Sequence, residues 1–123
     1  MISEFFIKRR FFYLLQNGYT FSKECKDGVY QVYYFQNNNY SVIISLDYRC
    51  EFIDMKIKLA TEVVLETRGK YIVINAFEHG KQKFSSSLKE IYEIPRKSLS
   101  LSHKQIRFLI ELYAQYATDI LCQ

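Results

Sequence analysis

The chain is short of glycine, proline, cysteine and histidine, and each shortage removes a class of function. Four scattered glycines supply neither GxGxxG nor a P-loop, so no phosphate-cradling loop is present. With a single proline, they also leave little room for long flexible linkers. The three cysteines, Cys25, Cys50 and Cys122, are odd in number, widely spaced and without a CxxC pair. That pattern argues against a disulfide framework and against a zinc site, and reads as reduced thiols in a cytosolic compartment. No run approaches the ~18 apolar residues of a transmembrane helix. In the opening MISEFFIKRRFFYLLQNG, Lys8, Arg9 and Arg10 interrupt the apolar residues rather than precede them, which is not a signal peptide. The expected location is cytoplasmic, with no membrane partner.

Only two histidines exist, His79 in the turn-like EHGK and His103 in the first turn of the last predicted helix. A nucleophile needs a base within hydrogen-bond reach and a third group to orient that base. Nothing local joins Cys25 or Cys50 to His79. Glu78–His79 alone is a fragment of a metal site, and Asp54 with Glu51 or Glu66 reads as ordinary surface charge beside lysines. The expectation is no enzyme, no cofactor and no metal.

What the chain has is aromatic mass: eleven tyrosines and ten phenylalanines in 123 residues. At 49% hydrophobic and 24% charged it has the composition of a globular protein, and its length predicts one domain, 1–123. A chain this long buries roughly two-thirds of the surface its unfolded form exposes. The net charge of +4 permits an acidic partner without declaring a nucleic-acid binder.

The predicted order is helix, antiparallel meander of four or five strands, short helix, long helix: an α+β fold with the terminal helices packed on one sheet face. Residues 3–16 form the first helix, with Ser3 as N-cap, Gly18 as its stop, and Ile7, Phe11, Leu14 and Leu15 on one face. Phe5 and Phe12 flank that face. After the turn Asp27–Gly28 comes VYQVYYFQNNNYSVIISLDY, six aromatics around three asparagines. A loop of Asn37, Asn38 and Asn39 would pair Tyr34 with Val42, Val32 with Ile44 and Tyr30 with Leu46, a clean core face. A two-residue loop would pair Val32 with Ser45 and mix the faces, so the longer loop is preferred. FIDMKIKL (52–59) alternates as the third strand after a turn near Tyr48–Arg49. Strands 62–67 and 70–77 follow, joined at Arg68–Gly69, with Val63 and Leu65 beside Ile72 and Ile74. EHGKQKFSSS reads as loop, and Ser87 caps a short helix through Tyr92 that Pro95 ends. Ser102 and Gln105 form a capping box for the last helix, whose stripe is Ile106, Leu109, Ile110, Tyr113, Tyr116, Ala117 and Ile120.

In that register Tyr33, Phe35, Ile43 and Phe52 share the second sheet face with polar residues, and Arg49 and Lys56 stand beside them as cations. An apolar cluster rimmed by polar groups is what a partner-binding surface looks like. These six residues are the candidate site. The alternative is single-stranded nucleic-acid binding by the same sheet-face aromatics. Against it, the element order is not βαββαβ and no RNP-like segment occurs.

Beyond these patterns, the chain resembles a known group. An opening helix carrying Phe11, Leu14, Leu15, Gly18 and Tyr19 precedes VYxxxNNxYSVxISxD and FIDMKIKL, then a C-terminal helix with LYxxY. This looks like the small α+β proteins of bacterial toxin–immunity loci. The resemblance implies a neutraliser that binds one cognate toxin, blocking its active site or holding it misassembled; it carries over no functional residues. Immunity proteins against nucleases tend to be acidic, whereas this chain is +4, which implies a target with an acidic surface or a contact dominated by aromatics. The expected partner is therefore another protein. A homodimer is admitted, and nucleic acid ranks behind both.

Overall fold

The computed structural model describes residues 4–28, 30–47, 53–68, 71–78, 81–90 and 102–121, with 68, 71–78 and 81–90 described by backbone only. Its elements are α1 (Glu4–Arg10), α2 (Phe12–Gln16), β1 (Thr20–Lys26), β2 (Tyr30–Gln36), β3 (Tyr40–Asp47), β4 (Ile53–Leu59), β5 (Glu62–Arg68), β6 (Tyr71–Glu78), β7 (Lys81–Glu90) and α3 (His103–Leu121). The fold is α+β. Seven antiparallel strands pair strictly in sequence order, so the predicted meander holds and is longer than the four or five strands expected.

The extra length comes partly from 81–90, expected as loop and the start of a helix. It is a strand, pairing Ile74 with Ser87 and Val73 with Leu88. KFSSSLKE carries no helical apolar period, and a chain reversing after Glu78 finds the free edge of β6 beside it. Adjacency in sequence decides where serine has no strong preference. Ser3, the turn at Tyr48–Arg49, Cys50, Gly69, His79, the segment through Tyr92 and Pro95, and Cys122 lie outside the described residues.

Two of the helix-end signals, Gly18 and Ser102 with Gln105, act as expected. Gly18 holds φ +87°, and the Tyr19 N–H donates to the Leu14 carbonyl at 3.0 Å, closing α2 in the left-handed conformation glycine adopts freely. The Ser102 N–H donates to Gln105 Oε1 at 2.7 Å and the Gln105 N–H to Ser102 Oγ at 3.3 Å, the reciprocal capping box at the start of α3. Residues 3–16, however, are not one helix. Phe11 interrupts it with ψ +19°, and the Leu14 N–H bonds the Phe11 carbonyl three residues back, one residue tighter than in an α-helix. That residue's ring stacks on Phe35 with centroids 5.1 Å apart.

The hairpin β2–β3 takes the register that the sequence argument rejected. Phe35 pairs with Val42, Tyr33 with Ile44 and Val32 with Ser45, around the two-residue loop Asn38–Asn39. The reason is local. Asn37 Oδ1 accepts the N–H groups of Asn39 (2.9 Å) and Tyr40 (2.6 Å), while the Asn37 N–H donates to the Tyr40 carbonyl at 3.0 Å. One asparagine side chain thus closes the turn without a positive φ at Asn38 or Asn39.

The slip by one residue exchanges the faces of β2. Tyr33 and Phe35 join Val42, Ile44, Leu46, Ile53, Met55, Ile57 and Leu65 beneath Ile7, Phe11, Leu14, Ile106, Ile110 and Tyr113 of the helices. In β5 a bulge between the Ile57–Leu65 and Lys58–Val63 pairs leaves Val64 extra. Two consecutive residues, Val64 and Leu65, therefore both reach the core, which strict alternation forbids. Leu65 lies beside Ile74 as expected, whereas Ile72 pairs with Thr67. On α3 the predicted stripe is buried or half-buried throughout, with Ala114 added to it.

Candidate partner-binding surfaces

The four predicted site residues that are described fall on opposite faces of the sheet. Tyr33 is 4% exposed and Phe35 fully buried, so neither can anchor a partner. Ile43 and Lys56 are half-buried neighbours on the opposite, open face of the sheet, where they line one groove. Arg49 and Phe52 lie outside the described residues.

That open face carries a groove of about 370 Å³ crossing β1 to β5, with Lys26, Tyr34, Ile43, Lys56, Lys58 and Glu66 in its walls. Its charges are mixed. The Tyr34 hydroxyl donates to Glu24 across β1–β2, an interaction that holds the phenol in its neutral form and pushes its ionisation upward. The Thr67 hydroxyl donates to Asp54 at 3.3 Å and accepts the Met55 N–H at 3.2 Å, standing in for a ladder bond where β4 and β5 separate. Behind it the Tyr113 hydroxyl is buried in the core next to Thr67, and burial drives its ionisation far upward.

Crowding by neighbours raises the Asp54 carboxyl above its ordinary value, with Thr67 and then Lys56 partly offsetting it, although its side chain keeps solvent contact. A carboxyl raised in the fold holds extra proton there, so its contribution to stability falls as pH rises above the unfolded value. Asp54→Asn is expected to gain up to about 0.5 kcal/mol at neutral pH. The gain should disappear near pH 3, where the carboxyl is protonated folded or unfolded. Urea unfolding at both pH values checks this; a loss at neutral pH would mean that Asp54 acts as a stabilising anion.

His103 is exposed in the first turn of α3, and Cys25 is exposed on the edge strand β1. Among the described residues no three His, Cys, Asp or Glu side chains cluster as metal ligands, and no helix is long and apolar enough to cross a membrane.

The helical layer presents a different surface. Phe5 is 71% exposed, Phe12 53% and Tyr13 57%, and Phe108 on α3 is half exposed. Phe5 and Phe12 form, with Lys8, Arg9 and Leu15, an apolar groove of about 620 Å³ along the outside of α1 and α2. A second groove between α2 and α3 shares Arg9 and Phe12 with it and adds Tyr13, Glu111 and Asp119. Two of the three cations here are engaged within the chain. Lys8 lies 3.7 Å from Glu4 and over the Phe21 ring at 4.5 Å, while Arg10 pairs with Glu111 at 3.0 Å and covers Phe6. Glu4 also accepts a 2.9 Å hydrogen bond from Lys23, which fastens α1 to β1 and holds the carboxyl below its usual range. No carboxylate pairs with Arg9 among the described residues.

The apolar pattern sets Phe5 and Phe12 at the flanks of the buried face, yet FFIKRRFFYLL carries aromatics on more than one side of the helix. A helix lying on a sheet has only one stripe to bury, so the surplus had to face outward. Compared with known proteins, the chain matches no family model, no curated protein and no solved structure.

Proposed function

We propose that the protein is a non-enzymatic protein-binding module that acts by steric occlusion, its specific form being an immunity-type neutraliser of a cognate toxin. The contact surface is the aromatic stripe of α1 and α2 rather than the sheet. One observation carries this: Phe5 on α1 and Phe12 and Tyr13 on α2 stand more than half exposed, above a core already filled by other aromatics. Large aromatics of this kind supply most of the binding energy at protein interfaces, and clustered exposure of them marks such sites. Nucleic-acid binding has less support. Two aromatics expected to stack bases, Tyr33 and Phe35, lie under the helices, and the open face, where Tyr34 stands, sets Glu24, Asp54 and Glu66 among its lysines.

The test is affinity capture from native cells by the tagged chain and by its Phe5→Ala/Phe12→Ala variant, with nuclease present. The variant should capture at least about tenfold less of one protein, since each anchor contributes ~1 kcal/mol or more. Its urea midpoint should stay within error of the parent, because neither ring is in the core. Undiminished capture by the variant would remove this surface from consideration.

A further inference from the structure

We infer that two copies of this chain associate through the edge strand β1, pairing antiparallel about Cys25 so that their sheets run on as one. β1 ends the sheet, and among the described residues its backbone pairs on one side only, with β2. Six of its seven residues are exposed. Such an edge is a template for a further strand unless proline, a bulge or charge blunts it. β1 has no proline, and its pairing with β2 runs without a bulge. Charge is the remaining guard, and its arrangement admits one partner.

Phe21 packs against the core and Lys23 bonds Glu4 of α1, so alternation sets Glu24 and Lys26 on the open face. Directly opposed residues of an antiparallel pair share a face, so a two-fold pair centres on one residue standing opposite itself. Centred on Lys23, Glu24 or Lys26, the pair sets that charge against its own copy. Centred on Cys25, it sets Glu24 against Lys26 of the other copy, and Lys26 against Glu24, with no like pair. Lys26 has no carboxylate partner among the described residues, whereas Lys23 already holds Glu4. A foreign strand would have to carry this order of charges, but a second copy, reversed, supplies it by symmetry. The ladder ends where Asp27 turns left-handed at φ +56°, so the overlap is short and falls below the roughly 1,000 Å² of a stable interface. The dimer is therefore weak and reversible, with its thiols reduced.

Sedimentation of the full chain under reducing conditions, over about a hundredfold range of concentration, should show monomer passing into dimer. Lys26→Glu and Glu24→Lys should each weaken association about fivefold or more, and the exchange Glu24→Lys/Lys26→Glu should restore it. The thiol oxidant diamide should then link Cys25 to Cys25 of the other copy, since opposed Cα atoms stand ~4.5–5.5 Å apart, within disulfide range. Peptide mass spectrometry reads that link. Ser22→Cys/Cys25→Ser should trap poorly, because residue 22 lies outside the overlap. A monomer at every concentration, association indifferent to the charge reversals, or a disulfide map without Cys25 joined to itself would overturn the pairing. Equal trapping from position 22 would overturn its register. The parent's sedimentation and disulfide map decide even where a variant fails to fold.

Discussion

Phe35→Ala should lower the unfolding free energy by about 3–5 kcal/mol, while Tyr34→Ala next to it should cost only about 1 kcal/mol. Phe35 is fully buried, stacked on Phe11 and in tilted contact with Phe21 at 5.2 Å, so truncation leaves a cavity that three elements would have to collapse into. Tyr34 is half-buried on the open face and loses chiefly its hydrogen bond to Glu24. A domain of this size has only about 5–15 kcal/mol in hand. The alanine at 35 should therefore unfold well below the parent in urea, with an unchanged slope. The pair of variants reads the β2 register directly, because a shift by one residue exchanges the two side chains between core and solvent. Equal costs, or the reverse order, would refute the register described above.

The second large effect is expected on β3. Ile44→Asp places a carboxylate between Tyr33 and Met55 at a position with no solvent contact. An uncompensated buried charge costs about 3–5 kcal/mol before the lost packing is counted. Ile43→Asp, one residue earlier, sits half-buried opposite Lys56 and Tyr34 and should change stability by no more than about 1 kcal/mol. The two also differ in pH response. Burial raises the carboxyl of Ile44→Asp above its unfolded value of about 4, so that variant should regain stability as pH falls from neutral towards that value. Circular dichroism across pH, with denaturant titration, separates them. A folded Ile44→Asp with the parent's midpoint would mean that the helices do not cover this face.

Much of this molecule could be read along the chain because its signals are local. A serine and a glutamine three residues apart can satisfy each other's backbone whatever surrounds them, and Ser102 and Gln105 do. Gly18 could be placed because a positive φ is nearly free for glycine alone. Ile53, Met55 and Ile57 alternate with polar residues, so only one face of β4 could be inward, and α3 displays its stripe for the same kind of reason.

Where neighbouring residues are equally apolar, pattern is silent. Tyr33, Tyr34 and Phe35 succeed one another in β2, so the register that sets Val32 against Ser45 still gives one apolar face, through Phe35 with Val42 and Tyr33 with Ile44. The choice fell to the Asn37 side chain in the turn and to Phe11, whose ring supplies the stacking partner for Phe35. Residues 81–90, poor in apolar period, became a strand through pairing with β6. The outward aromatics of α1 and α2 could be seen in the sequence as a surplus, but not as a surface. Local patterning along this chain settled the identity, order and ends of most elements, because caps, turns and alternation act over a few residues. Which face of β2 is buried, and which aromatics remain outside, was decided by tertiary structure alone, because burial is a property of the finished packing and a sheet offers the helices only one side.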